Sequence, residues 1–529
     1  MVDKRLEEYL RILREGGCLE GSELYQAQET PVQGLTYESA KAEPGTLFVC
    51  KGAAFKKAYL EDALSRGAIA YVSQEDYGIP GIPHILVRDI RQAMPLLARA
   101  FYQIPEEDLH CIGITGTKGK TTTAFFLRSI WNAAMERRGG RDIAFLTSLE
   151  NYDGVTKEAS TLTTPEIMEI YRHFRNACDS GISWAVMEVS SQALKYQRVA
   201  GIPFAMGIFL NISEDHISPT EHKDFEDYFQ SKLTLFGQVK TAIVGLDTPH
   251  AQRILQAAGQ EDGVERVVTF GQVAEAEVYG HDVEVEEGRL TFAVTCPAFT
   301  RRFTLAMHGV FNVENALAAI AAAYVAGIAP EDMQKGLEAA RVGGRMEEYT
   351  SPDGSVTAIV DYAHNGLSFR TIFEAARLEY PHHRMVAVFG CPGGKAYNRR
   401  KDLGTEAGRA CSRVYLTADD PEREQVEDIC REISQYLDPE QCPWECIPDR
   451  EEAIRQAIRQ AMHGAAYSEA PQAAHQVSHP AGSPASEKAG EKTLVLVLGK
   501  GSETSQKIGH KRCPYRSDAV VVQECLGLL

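Results

Sequence analysis

The segment Gly113-Ile114-Thr115-Gly116-Thr117-Lys118-Gly119-Lys120-Thr121-Thr122-Thr123 constrains this chain more than any other. The apolar run from His110 to Thr115 enters it as a strand, and Ala124-Phe125-Phe126-Leu127 leaves it as a helix. Glycine allows the backbone close to a ligand, and the N–H groups at a helix start point at an anion. In that setting Lys120 reaches the terminal phosphates of a nucleotide, and the Thr121 hydroxyl faces Mg²⁺. The spacing differs by one from G-x-x-x-x-G-K-[ST], with Ile114 where that pattern has glycine. Strand, glycine loop and helix in this order predict ATP or GTP binding at Gly116, Thr117, Lys118, Gly119, Lys120, Thr121 and Thr122.

A phosphate loop belongs in an α/β layer structure, and the flanking sequence agrees. Apolar strands are predicted at Thr46–Cys50, Ala68–Val72, Trp184–Met187 and Phe204–Phe209, with helical patterns between them. Residues 279–306 alternate apolar and polar, as in Val283-Glu284-Val285-Glu286, and predict a small antiparallel ribbon. After Gly343-Gly344-Arg345 the alternation restarts, with strands at Ala358–Val360, Met385–Phe389, Val414–Leu416 and Leu494–Leu498. At about 150 residues per domain, 529 residues predict three domains. The expected division is a small α/β domain at 1–108, a central ATPase domain with a parallel sheet at 109–343, and a Rossmann-like domain at 344–529. Residues 465–492, rich in Ala, Ser, Pro, Gln and Glu, read as a mobile surface insertion.

Charge and composition remove other classes. A net charge of −18 argues against a general binder of nucleic acid or membrane surfaces. No apolar run approaches the roughly 18 residues of a membrane span, and the acidic start Met1-Val2-Asp3-Lys4-Arg5-Leu6-Glu7-Glu8 does not resemble a signal peptide. The 12 cysteines are scattered, with Cys442 and Cys446 the closest pair, and predict reduced thiols in a cytoplasmic protein. Two further clusters follow the phosphate loop. Met187-Glu188-Val189-Ser190-Ser191 and Asn211-Ile212-Ser213-Glu214-Asp215-His216 each end an apolar strand, the edge at which open α/β sheets bind ligands. Taken singly Glu188 or His216 reads as structural; together after a phosphate loop they read as metal-competent groups.

These motifs, in this order, resemble the Mur ligases, ATP-dependent amide-forming enzymes of peptidoglycan precursor synthesis. The resemblance rests on Gly116–Thr122, Thr163-Thr164-Pro165, Glu188-Val189-Ser190-Ser191, Asp215-His216, Asn312-Val313-Glu314-Asn315-Ala316-Leu317, Gly344-Arg345-Met346-Glu347 and Asp361-Tyr362-Ala363-His364. Within the family the chain is most similar to the ligases that add the third residue to UDP-N-acetylmuramoyl-L-alanyl-D-glutamate. The segment Pro44–Lys57 resembles the lysine-adding enzymes of Gram-positive bacteria. The resemblance implies a nucleotide-sugar domain, a central ATPase and a C-terminal domain that brings the amino acid, acting as a monomer. It implies that Ser39, Thr163, Thr164, Ser190 and Arg198 bind the acyl substrate, although the usual arginine after Ser39 is Ala40. It implies Mg²⁺ at Thr121, Glu188 and His216, and a Lys232 carbamylated by CO₂ that helps place the metal. Lys120, Lys232, Glu188 and His216 are the implied catalytic set. Without the resemblance Lys232 reads as an exposed helix lysine. Asn315, Arg345 and Asp361 match positions around the adenosine. Asn315 alone reads equally as a helix residue satisfying a local backbone group, and Tyr362 and His364 equally as core.

The amino-acid pocket departs from one branch of the family. Enzymes for meso-diaminopimelate carry Asn-Pro-Arg, whose arginine pairs with the second carboxylate. This chain has Asp419-Asp420-Pro421-Glu422, and Glu422 offers the charge suited to an ammonium, with Arg423 next to it. Gly499-Lys500-Gly501-Ser502-Glu503 keeps one acidic group of a second motif, and Arg400 matches an arginine that contacts the amino acid. The balance favours L-lysine over meso-diaminopimelate. A ligase of folylpolyglutamate synthetase type and a non-ligating nucleotide-sugar binder are the alternatives from other classes. Thr163-Thr164-Pro165 opposes the first, and Lys120, Glu188, His216 and Lys232 together oppose the second.

Overall fold

The computed structural model describes residues 3–52, 54–104, 107–140, 142–215, 217–218, 221–286, 289–394, 397–462 and 492–529. His216 and all but the last residue of the expected insertion at 465–492 lie outside the described residues. The chain forms two compact units. The first comprises Met1–Asp282, Phe292–Phe303 and Val313–Ala339; the second comprises Val283–Thr291, Thr304–Asn312 and Ala340–Leu529.

The first unit holds two sheets. The smaller runs in the order Leu19–Glu23, His84–Val87, Ala68–Ser73, Thr46–Val49, Gly34–Thr36 and is parallel except at its first strand. The larger has a parallel centre in the order Arg266–Gly271, Val239–Gly245, Phe204–Phe209, His110–Thr115, Trp184–Glu188, Ala144–Leu146. Beyond Ala144–Leu146 the short strands Glu150–Tyr152 and Lys157–Ala159 add antiparallel. At the other edge Val278–Glu286 joins parallel to Arg266–Gly271 through Val278 and Tyr279; the expected ribbon appears as Val278–Glu286, Arg289–Cys296 and Phe299–Leu305, strands whose residues are divided between the two units. The phosphate-loop strand sits in the middle, and later strands add on both its sides. Loops at the carboxyl ends of the strands beside it therefore converge on one crevice.

The second unit is built on Glu347–Thr350, Val356–Asp361, Thr493–Leu498, Arg384–Phe389, Arg413–Leu416 and Trp444–Cys446, parallel except at the first strand. Thr493–Leu498 lies between two neighbours and is buried along its whole length, which explains its unbroken apolar run. The α/β class with parallel sheets is thus the observed architecture. All 12 cysteines are free thiols. Among the described residues no helix is long and apolar enough to cross a membrane.

Candidate active site

The strand His110–Thr115 delivers the loop, and helix Lys120–Arg138 starts at Lys120. Gly119 precedes that helix at φ +88, and a Cβ there would run into Oδ1 of Asn315, so glycine is required. Lys120 Nζ donates to the loop carbonyls of Gly116 (2.9 Å) and Thr117 (3.3 Å). Lys118 donates its backbone N–H to Asn211 Oδ1 at 3.0 Å and pairs with Asp215 at 3.1 Å. The Thr117 hydroxyl lies 3.0 Å from Tyr228 Oη and accepts from the Ser213 N–H at 3.0 Å. The Asn211–Asp215 part of the second sequence cluster is thereby tied to the loop.

Glu188 closes the next strand and is buried. Its Oε1 accepts from the Thr121 hydroxyl at 2.9 Å and from the Ser148 N–H at 2.8 Å. One hydroxyl and one carboxylate therefore meet at the crevice, a pair of hard oxygen donors. Among the described residues no group of three or more His, Cys, Asp or Glu is placed to hold a metal ion. Thr164 donates to the Glu188 carbonyl at 3.0 Å and accepts from the Ser190 N–H at 3.0 Å, which locks the Thr163-Thr164 loop to this strand end.

Lys232 is the buried exception that its residue type disguises. It lies near the end of helix Phe225–Leu233, 1% exposed, and donates to the Gly116 carbonyl at 2.9 Å while standing 4.7 Å from the Tyr228 ring centre. Burial pushes its ammonium well below the ordinary lysine range, and the Lys120 charge adds to that. Three lysines, 118, 120 and 232, therefore crowd one loop, a cost that a bound polyanion relieves.

A cleft opens beside them, lined by Lys120, Thr163, Thr164, Ser190, Arg198 and Lys232, together with Leu162, Ser191 and Gln192. It unites six of the residues expected from the sequence. Leu162 and Gln192 went unnoticed there, and Ser191 was read as part of the Glu188–Ser191 motif with no role assigned to it. Glu166 also went unnoticed: its Oε1 takes Arg198 Nε at 3.1 Å and Lys51 Nζ at 2.7 Å. Ser39 opens a short turn, Ser39–Lys41, and its hydroxyl bond is the main reason the Asp62 carboxyl sits below its ordinary value. Asn315 is buried at the start of its helix, with Thr123 Oγ1 3.5 Å from its Oδ1.

The second unit gathers the other expected residues. Asp361 ends Val356–Asp361, accepts from the backbone N–H groups of Met346 (2.8 Å) and Ala363 (2.7 Å), and is pushed up by burial. The Arg345 guanidinium stands 4.5 Å from the Tyr362 ring centre. Gly499 follows Thr493–Leu498 and donates to the Asp361 carbonyl at 3.1 Å. Lys500 is fully buried and pairs with Asp420 (2.9 Å) and Glu503 (2.5 Å). Burial opposes its charge, but Asp419 and Glu503 outweigh it and raise the ammonium above its usual range. Burial pushes the Asp419 carboxyl up. Pro421 accepts from the Glu424 N–H at 3.0 Å, and Glu422 pairs with Lys507 at 2.9 Å. Arg400 is 2% exposed and spans Glu424 (2.8 Å) and Glu432 (2.6 Å), so its fork is engaged by two protein carboxylates.

Known proteins resemble this chain in sequence and in fold. The Mur ligase middle domain matches residues 114–323, and the Mur ligase glutamate ligase domain matches residues 344–468. A UDP-N-acetylmuramyl-tripeptide synthetase of Lactobacillus delbrueckii subsp. bulgaricus is 34% identical over 98% of this chain and 98% of its own. A UDP-N-acetylmuramoyl-L-alanyl-D-glutamate–L-lysine ligase of Enterococcus faecalis is 39% identical over 80% of this chain and 83% of its own. Among solved structures, a UDP-N-acetylmuramoyl-L-alanyl-D-glutamate–2,6-diaminopimelate ligase superposes with a TM-score of 0.66 at 24% identity, covering 99% of both chains. A MurF ligase from Thermotoga maritima in complex with ADP superposes with a TM-score of 0.58 at 15% identity, covering 94% of this chain and 97% of its own. With a third of its residues identical to a relative matched nearly end to end, the chain belongs to the Mur ligase family of ATP-dependent ligases.

Proposed function

We propose that this ligase adds L-lysine to the D-glutamate of UDP-N-acetylmuramoyl-L-alanyl-D-glutamate in the cytoplasm, as a monomer. The observation that carries the reading is the cleft in which Lys120 and Lys232 of the nucleotide side share walls with Thr163, Thr164, Ser190 and Arg198. An acyl substrate held there lies against the phosphate loop. The Enterococcus faecalis relative, named as an L-lysine ligase, supports the amino acid. We assign residues 1–108 to the nucleotide sugar with Ser39, 109–343 to ATP, and 344–529 to the amino acid, with Asn315, Arg345 and Asp361 about the adenosine. Asp419, Asp420, Pro421, Glu422, Gly499, Glu503 and Arg400 are assigned to the amino-acid pocket.

The chemistry follows from the groups present. The free D-glutamate carboxylate attacks the terminal phosphorus of ATP, giving an acyl phosphate and ADP. The amine of the second substrate then attacks the acyl carbon, and phosphate leaves as the amide forms. Both steps collect negative charge on phosphoryl and carboxyl oxygens, which Lys120 and the loop N–H groups stabilise in place. Arg198, oriented by Glu166, holds a carboxylate of the dipeptide. Thr121 and Glu188 are suited to Mg²⁺, which takes oxygen ligands and one or two carboxylates alongside substrate phosphates; His216 is assigned to the same ion. When bound, that ion neutralises charge on the transferring phosphoryl group. A neutral amine is required to take up CO₂, and the lowered Lys232 supplies one, so we assign the carbamate to it.

The test measures ATP hydrolysis with and without the UDP-muramoyl dipeptide, then the mass of the product from an equimolar mixture of L-lysine and meso-diaminopimelate. Dipeptide-dependent turnover and the lysine adduct are expected. A dominant diaminopimelate adduct replaces the amino acid in this reading, and turnover independent of the dipeptide overturns it.

A further inference from the structure

The floor of the cleft carries an arrangement that the phosphate and metal assignments do not use. Ser191 lines the cleft one position after Ser190. Its Oγ lies 3.0 Å from Nε2 of His222, whose ring is fully buried. Across that ring, Nδ1 lies 3.3 Å from Oδ2 of Asp227, a charge contact whose geometry is not that of a hydrogen bond. Asp227 Oδ2 also takes Lys195 Nζ at 2.6 Å and the Lys223 backbone N–H at 3.1 Å. Ser191 and Lys195 begin and end one short helix, Ser191–Lys195, while Asp227 stands in the first turn of Phe225–Leu233. The Tyr228 ring meets the His222 ring edge-on at 5.3 Å.

The Asp227 carboxylate biases where the imidazole proton sits. A carboxylate that already takes an ammonium and an amide N–H can only accept, so its charge beside Nδ1 favours the ring proton on that nitrogen. Nε2 is then an acceptor, and the Ser191 hydroxyl must donate to it. The serine oxygen presents lone pairs, not a proton, to the cleft. A hydroxyl that rotates freely serves a donor or an acceptor equally; one locked in this way serves only a donor on the ligand.

We propose that Ser191 is a further substrate-binding residue, its oxygen accepting an amide N–H of the peptide part of the acyl substrate, with His222 and Asp227 as positioning residues that keep it an acceptor. The inference rests on the reading of this cleft as the muramoyl-dipeptide site. It divides the polar work there: Arg198 donates to a carboxylate, and Ser191 receives an N–H. The pairing also rejects a ligand that places a carboxylate oxygen against Ser191, because two acceptors would then face each other.

Steady-state kinetics on the full chain tests this, with the UDP-muramoyl dipeptide and ATP varied in turn. Ser191→Ala is expected to raise KM for the dipeptide about 10-fold and to leave KM for ATP and kcat within about twofold, the loss of one hydrogen bond made to the ground state. His222→Ala, which frees the hydroxyl to rotate without removing the acceptor, should give a smaller rise, and the Ser191→Ala/His222→Ala double variant should be no worse than Ser191→Ala, since both act on the same interaction. His222→Gln, which returns an acceptor near the Nε2 position, should recover KM to within about threefold of wild type. A Ser191→Ala enzyme with unchanged KM overturns the inference while leaving the ligase reading intact, as does a double variant whose losses add. If His222→Ala does not fold, Ser191→Ala and His222→Gln decide the matter between them. A wild type whose ATP turnover ignores the dipeptide overturns the underlying reading instead.

Discussion

Lys120 and Lys232 donate to the same carbonyl, that of Gly116, yet their environments ask different things of them. Lys120 is partly exposed at the helix start and keeps its charge available for phosphate. Replacing it with alanine removes a stabilising cation without opening a core cavity, so ligation should fall by about 10³-fold or more. The melting temperature should stay within a few degrees; near-normal turnover in Lys120→Ala would sink the ATP-site assignment. Lys232 is instead buried against Lys120, which leaves its amine neutral far more often than a surface lysine. A neutral buried amine beside an anion site is the species that CO₂ modifies. Lys232→Ala should therefore be nearly inactive, and a short carboxylate such as formate should restore part of the rate. A crystal structure with Lys232 unmodified and its metal site fully occupied would count against the carbamate. Residue type alone pointed to a surface position for Lys232. Its burial was legible only through the family resemblance, because a lysine carries no sequence mark of the cavity that surrounds it.

Elements were legible where burial imposes a pattern. The strands His110–Thr115 and Phe204–Phe209 appear with their expected bounds, since both lie inside a sheet covered on two faces and read as continuous apolar runs. Glu150–Tyr152 and Lys157–Ala159 escaped, being three residues long, near the sheet edge and in the second case wholly exposed. No hydrophobic period exists in such segments to be read. The ties between elements were equally invisible. In the second unit His308, on a loop, joins two of them, with Nε2 2.6 Å from Glu348 of strand Glu347–Thr350 and Nδ1 3.1 Å from Glu379 at the end of helix Gly366–Glu379. Burial alone would lower its pKa, but the two carboxylates raise it from 6.5 to about 9, and Glu348 falls to about 2. A raised histidine stabilises fully below its unfolded value and loses that contribution as pH climbs toward about 9. A depressed carboxylate stabilises above its unfolded value, 4.5, and loses that contribution as pH falls toward about 2. Denaturant melts across pH should thus show stability declining between pH 6.5 and about 9, and His308→Ala should flatten that decline. An unchanged alkaline slope in the variant would remove His308 as its source.

For the whole molecule, class and chemistry were legible because a phosphate loop and its partner motifs occur in a fixed order along the chain. The choice of amino acid was less so, because it depends on which charges neutralise one another in space. The sequence offered Glu422 as a carboxylate for the ammonium of lysine, whereas the fold gives it Lys507 at 2.9 Å as a partner. Arg400 likewise spends its fork on Glu424 and Glu432, which weakens it as a direct contact. Glu422 nonetheless keeps an unusual backbone geometry. It holds φ +52, a strained conformation for a glutamate, with its N–H donating to the Lys507 carbonyl at 3.0 Å and its carbonyl accepting from Gly509 at 2.6 Å. Strain of that kind persists where the surroundings over-determine it, and such positions concentrate at ligand sites. The Glu422–Lys507 pair is about a quarter to two-fifths exposed, so water and salt screen it and a ligand ammonium can compete for the carboxylate. Glu422→Arg would then set a second cation beside Lys507, repelling the ammonium of lysine and favouring the distal carboxylate of meso-diaminopimelate. Screening holds the expected change in the ratio of the two kcat/KM values to about 10-fold, near 1.4 kcal/mol. Lys507→Met should act in the opposite sense, freeing Glu422 and sharpening the preference for lysine by a few-fold. Competition between equimolar amino acids, read by product mass for both variants, decides it: ratios that move together, or that do not move, transfer specificity from Glu422 to Asp420 and Glu503, the partly exposed carboxylates that pair with buried Lys500.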